Sequence, residues 1–274
     1  VVEIMPVGEF AGDFSLGYNP VNIFAPESAY GSPDQMRHFI DQCHQRGIAV
    51  IIDVVYNHLG PGDIENSIWQ FDGYSLWADT GGIYFFEDAF RLTPWGSRLN
   101  TSTDEVRAFI RDNVMYWLNA YNMDGIRMDG TAYMRKQYGE EWDNDVPGGW
   151  SLMQWINNEI DAIDPSVLSI AEDLQNDDFI TRPTSQGGAG FDSQWTPSFV
   201  HPIRDVIVPP SDDGRSMWAV KNAIEQRYNG DAFERVVYTE SHDEVANGRA
   251  RVPEEIFPGN ADSYWSQKRS TLGA

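Results

Sequence analysis

Short, almost wholly apolar runs alternate along this chain with amphipathic helical stretches, and that alternation restricts its fold more than any other feature. A strand covered on both faces reads as an unbroken apolar run, and a helix after it returns the chain to lay down a parallel neighbour. Strand-like runs fall at residues 1–7, 49–55, 125–128, 167–171, 191–195 and 235–239. The first helix is expected from Ser32 as N-cap, with Pro33 in its first turn and Gln35 completing a capping box. Its stripe is Met36, Phe39, Ile40 and Cys43, and Gly47 ends it. A second is expected after Ser102, with the stripe Val106, Phe109, Ile110, Val114, Trp117, Leu118 and Tyr121. A third is expected over 151–163, capped by Ser151, and a helix-like run covers 263–272. Residues 8–31 read as a loop, and residues 59–100, carrying Trp69, Trp77 and Trp95, as a subdomain-like insertion within one domain covering 1–274.

Three acids, Asp129, Glu172 and Asp243, each stand just past one of these runs. Parallel strands closed into a barrel point their C-terminal ends at one face, so acids from distant strands converge there. Facing carboxylates suit cleavage of a glycosidic bond, which needs an anionic nucleophile together with a protonated acid. Arg127 lies two residues before Asp129 and therefore on the same side of the strand, where its fixed charge favours the ionised carboxylate. Asp53 interrupts an apolar run, costly unless it is paired, and Arg127 is the expected partner. Glu172 and Asp173 are adjacent, so only one of them can face the pocket.

The totals bound what the chain can meet. At 274 residues it suits one large α/β domain. A formal net charge of −23 disfavours nucleic acid and anionic membrane as partners. Cys43 is the one cysteine, which rules out an intramolecular disulfide and reads as a small buried hydrophobe. No membrane-length apolar stretch occurs, and no phosphate-cradling glycine loop or Cys/His metal cluster. A cytoplasmic location is expected, with the true N-terminus lying upstream of Val1.

Four stretches, in order, carry a recognisable pattern: Asp53-Val54-Val55-Tyr56-Asn57-His58, Gly125-Ile126-Arg127-Met128-Asp129, Ile170-Ala171-Glu172-Asp173 and Glu240-Ser241-His242-Asp243-Glu244. Their order and spacing resemble the signature regions of the α-amylase superfamily, glycoside hydrolase family 13. Met5-Pro6-Val7, Gly17-Tyr18-Asn19-Pro20 and residues 25–31 resemble its branching-enzyme side, while Thr93-Pro94-Trp95-Gly96 is similar to its trehalose-releasing hydrolases. The resemblance implies a (β/α)8 barrel, here a partial one matching strands two to seven, with the 59–100 insertion as the family's subdomain. Two missing strands would leave sheet edges unpaired, so this stretch is expected to be unstable or inactive in isolation.

The resemblance also implies roles. Asp129 would be the nucleophile, Glu172 the general acid/base with a raised pKa, and Asp243 the second anion beside the oxocarbenium-like transition state. Tyr18 would stack under the sugar, His58 and His242 would donate to its hydroxyls, and Asp53 and Arg127 would complete the substrate site. Gly130 departs from the family's usual alanine, and Thr131 and Ala132 lack the Lys-His of many amylases. The expected activity is that of a retaining α-1,4-glucan branching enzyme acting on an α-glucan or maltooligosaccharide. The alternatives are an α-amylase or maltooligosyltrehalose trehalohydrolase-type hydrolase, or a glucan-binding protein without activity. No cofactor or metal is expected, calcium being the one the family would allow.

Overall fold

The computed structural model describes residues 1–60 and 83–273. The chain divides into two compact units, residues 1–175 with 179–192 and residues 176–178 with 193–274. A strand forms at each of the six expected positions, though most are shorter than the apolar runs that predict them.

In the first unit, β1 (Val2–Ile4), β4 (Val50–Val54), β5 (Gly125–Met128) and β6 (Leu168–Ala171) pair side by side and parallel. Ile51 pairs with Gly125 and Gly125 with Leu168; Asp53 pairs with Arg127 and Arg127 with Ile170. Every residue of β4 and of β5 is buried, as an interior parallel strand requires. Two further strands lie in the stretch expected as a loop: β2 (Gly8–Phe10) and β3 (Pro20–Pro26) form an antiparallel pair. β2 is too short to show an alternation, and prolines at both ends of β3 mask it, although proline is tolerated at strand ends.

Helix α1 (Pro33–His44) starts as expected, with both hydrogen bonds of the Ser32–Gln35 capping box in place. Helix α2 (Asp104–Ala120) buries Val106, Ile110, Val114, Trp117 and Leu118, but its N-cap is Thr103 rather than Ser102. Ser102 instead turns its hydroxyl to Asn100 Oδ1. Between them, Asp104 and Glu105 place negative charge at the positive end of the helix dipole. A short helix, α3 (Thr131–Arg135), follows β5 and was not legible in the sequence. Helix α4 (Gly149–Ile163) begins two residues before the expected Ser151, from a left-handed Gly148, so Ser151 lies inside the first turn. The core is formed by Val50, Ile52, Val54, Ile126 and Met128 with the inner faces of α2 and α4, including Val114, Trp117, Leu152 and Ile156. Asn113 sits fully buried in that layer with its polar atoms satisfied. It accepts from Tyr56 Oη at 2.7 Å and Trp117 Nε1 at 3.1 Å, and donates to the Ile23 carbonyl at 2.8 Å. That last bond ties the hairpin to α2.

In the second unit, β7 (Ser193–Trp195) pairs parallel with β8 (Arg235–Val236). The helices are α5 (Pro197–Ile207), α6 (Met217–Glu225), α7 (His242–Ala246), α8 (Val252–Ile256) and α9 (Tyr264–Gly273). The strand expected over 235–239 ends at Val236. Of the 59–100 insertion, residues 61–82, including Trp69 and Trp77, lie outside the described residues. Its described part is folded by bridges pairing Ser97 with Leu59 and Leu92, and Phe85 with Leu99. Arg98, buried, stitches it to the loop after α3 by donating to the carbonyls of Phe90 at 3.0 Å and Gln137 at 2.6 Å.

Candidate active site

Arg127 is the centre of the first unit's strand-end cluster, and its side chain is fully buried. Its Nη1 donates to Asp53 Oδ1 and Oδ2 at 2.8 and 2.7 Å and to Asp129 Oδ1 at 3.0 Å, while Nη2 lies 3.2 Å from Glu172 Oε2. Register explains the set. Asp53 is the direct neighbour of Arg127 across the ladder, and Met128 is paired with Ala171, so Asp129 and Glu172 each stand one step beyond that pair. The ladder continues through them, with Asp129 N donating to the Val54 carbonyl at 2.9 Å and Glu172 N to the Met128 carbonyl at 3.0 Å. Equivalent positions on adjacent strands lie about 4.8 Å apart. Asp129 and Glu172 are thus held close together by backbone geometry alone.

Three carboxylates around one guanidinium cannot all be neutralised by it. Burial pushes the Asp53 carboxyl up to about 7, Arg127 pulling it down and Asp129 adding to the rise. Burial also raises the Tyr18 hydroxyl far above the ordinary phenol range, with the Asp53 charge adding to the rise. It therefore stays protonated and donates to Asp53 Oδ2 at 2.6 Å. Gly17, at φ +92°, delivers Tyr18 to this place: a Cβ there would lie 2.2 Å from the Pro6 carbonyl oxygen.

His58 is buried with both ring nitrogens against protein oxygens. Nε2 faces the Tyr18 carbonyl at 2.8 Å and Nδ1 faces Asn57 Oδ1. Burial pushes the ring below the ordinary histidine range, with Asp129 and the Tyr18 carbonyl pulling the other way. The sequence-based role of sugar donor meets a ring whose two nitrogens already face protein oxygens. Beside it stands half-exposed Trp95, 5.8 Å from the His58 ring and edge-on to Tyr133 at 4.7 Å.

Glu172, not Asp173, faces Arg127. Glu172 Oε2 also accepts from the Gly130 N–H at 2.9 Å, a backbone donor that no side-chain pattern announces. Asp173 points the other way and is buried in a forked pair with Arg135, at 2.9 and 2.7 Å, with Thr131 Oγ1 at 3.1 Å. That pair fixes α3 beneath the site. Asp173→Ala leaves buried Arg135 with Glu141 as a remaining carboxylate partner but without its fork, so a stability loss of about 1–3 kcal/mol is expected. Urea unfolding of the variant measures it; a loss below about 1 kcal/mol contradicts the structural role.

Asp243 and His242 belong to the second unit, in the first turn of α7 rather than at the end of a strand. Ser241 caps that helix, its hydroxyl accepting from Glu244 N at 3.3 Å, and Asp243 Oδ1 lies 3.5 Å from His242 Nε2. Buried Arg204 of α5 grips both ends of the segment, donating to the carbonyls of Thr239 and Ala250 at 3.0 Å each. Among the described residues, no three His, Cys, Asp or Glu side chains are grouped to hold a metal ion, and no helix is long and apolar enough to cross a membrane.

Parallel strands followed by helices, with acids at the strand ends, define a partial (β/α)8 barrel. A crystal structure of a candidate alpha amylase from Salmonella typhimurium superposes with a TM-score of 0.62 over 89% of this chain and 42% of that one, at 24% identity. The catalytic-domain profile of the alpha-amylase family matches residues 10–65. The 1,4-alpha-glucan branching enzyme GlgB of Pseudoalteromonas atlantica is 33% identical over 97% of this chain and 36% of its own length. Its namesake from Aliivibrio fischeri is 30% identical over 99% of this chain and 38% of its own length. The chain thus spans less than two fifths of these relatives, and it belongs to the α-amylase superfamily.

Proposed function

We propose that this chain carries the nucleophile and the acid/base of a retaining α-glucan transferase, a 1,4-α-glucan branching enzyme. The observation that carries the reading is the pair Asp129 and Glu172 on adjacent strands, both in contact with one buried arginine. Retaining glycosidases hold their two carboxyls about 5–5.5 Å apart and inverting ones about 6.5–9.5 Å, and adjacent strand positions favour the shorter span. Asp129 attacks the anomeric carbon while Glu172 gives its proton to the departing glycosidic oxygen, leaving a glycosyl ester on Asp129. Glu172, now anionic, takes the proton of a glucan 6-hydroxyl as that oxygen attacks the ester and frees Asp129. Asp243 and His242 enter this reading through the family resemblance, as the second anion and a hydroxyl donor. Tyr18 and the exposed face of Trp95 supply flat apolar surface against which a sugar ring packs.

Branching is favoured over hydrolysis by the relatives, which are branching enzymes by name. The Thr93–Gly96 turn keeps the hydrolase reading in play, since water and a sugar hydroxyl are told apart by access to the ester rather than by these residues. Incubation of the full-length protein with amylose separates them. Branching is expected to produce linkages sensitive to a debranching enzyme with little change in reducing ends. A steady rise in reducing ends without such linkages rejects transfer.

A further inference from the structure

The two oxygens of the Asp129 carboxylate are held by different donors. Arg127 Nη1 reaches Oδ1 at 3.0 Å, while Asn57 Nδ2 reaches Oδ2 at 2.8 Å and the Asp129 backbone carbonyl at 2.9 Å. A carboxylate held through one oxygen swings about a broad terminal torsion; held through both, it keeps one orientation. Asn57 has a single workable orientation of its own. Turned over, its amide would set Oδ1 against two Asp129 oxygens. As placed, Oδ1 faces His58 Nδ1, and His58 Nε2 faces the Tyr18 carbonyl; a neutral ring donates to one of the two. The amide also lies where a side chain at residue 130 would press on it. A Cβ at Gly130 would lie 2.7 Å from Asn57 Nδ2 and 3.3 Å from Asn57 Cγ, and the backbone there has φ +51°.

We propose that Asn57 is a positioning residue for the Asp129 carboxylate, its amide set by two donations to Asp129 and admitted by Gly130. This rests on Asp129 being the nucleophile. Asn57 acts on the aim of the attacking oxygen, so its loss falls on kcat rather than on KM. A reacting group misplaced by an ångström costs on the order of 10²-fold in rate.

The test is pre-steady-state fluoride release from α-maltosyl fluoride, whose leaving group needs no proton from Glu172. In this step the bond from Asp129 to C1 forms, the C–F bond breaks and fluoride departs with its electron pair. Asn57→Ala is expected to slow release on the order of 10²-fold with KM changed less than about twofold. Gly130→Ala, which displaces the amide, is expected to slow it comparably. Introduced into Asn57→Ala, it is expected to add less than about threefold, because both changes remove one interaction. Release by Asn57→Ala within about threefold of the parent, or two effects that multiply, overturns the proposal. Should Asn57→Ala fail to fold, parental release by Gly130→Ala overturns it alone. Parental release by Asp129→Asn is a separate result, removing the nucleophile itself.

Discussion

Asp129→Asn should lower turnover on amylose by at least about 10⁴-fold while leaving the fold and maltooligosaccharide affinity in place, because an amide cannot form the glycosyl ester. Stability is the smaller effect, for two opposing reasons. The amide must turn its NH₂ toward either Arg127 Nη1 or Asn57 Nδ2, both donors, so one contact is lost at a cost of about 1–3 kcal/mol. Against this, the substitution removes one of three acids crowded on a single guanidinium, which relieves repulsion. The two nearly offset, so the thermal midpoint should move little while activity collapses. Thermal unfolding, maltoheptaose binding and amylose turnover measured on the same preparation check this. Retained turnover would sink the nucleophile assignment, and lost binding would show that the variant damages the site rather than the chemistry.

The site was readable where chemistry and register coincide in a short stretch. An aspartate in the apolar run before Val54 demanded a buried cation, and the i, i+2 spacing of Arg127 and Asp129 named it; the ladder then placed Asp53 directly opposite Arg127. Strand alternation likewise separated Glu172 from Asp173, and the structure sends them to Arg127 and Arg135 respectively. Less was visible where tertiary contact decides. Asn57 was seen as part of a motif, but its grip on Asp129 depends on a left-handed glycine 73 positions away in sequence, which no periodicity encodes. The hairpin Gly8–Phe10 with Pro20–Pro26 was hidden because the three-residue strand carries no alternation to detect and prolines at both ends mask the longer one. Ser102 and Ser151 each looked like a cap. The cap instead lies one residue later in the first case and three earlier in the second, where Gly148 supplies the turn.

Arg127→Met should be the most destabilising single change in the first unit, and its cost should grow with pH. Methionine fills much of the arginine stem, so cavity formation is minor and the loss is electrostatic. Three carboxylates then share a buried site without their cation, which costs about 3–5 kcal/mol near neutral pH. The pH sign follows from Asp53. Its folded-state pKa is raised from 3.8 to about 7 even with Arg127 opposing the rise, so the native state takes up a proton there more readily than the unfolded chain. That contribution to stability is fully present below 3.8 and is lost as pH climbs toward about 7. Without Arg127 the rise is unopposed, and the loss continues to higher pH. Chemical denaturation at about pH 5 and about pH 8 should therefore show a gap between parent and variant that is narrow in acid and wide in base. Asp53→Asn in the Arg127→Met background should close part of the gap at the higher pH, since one uncompensated charge is gone. A gap independent of pH would mean that Arg127 holds the barrel by packing. The charge balance around it would then have no part in keeping Asp129 and Glu172 together.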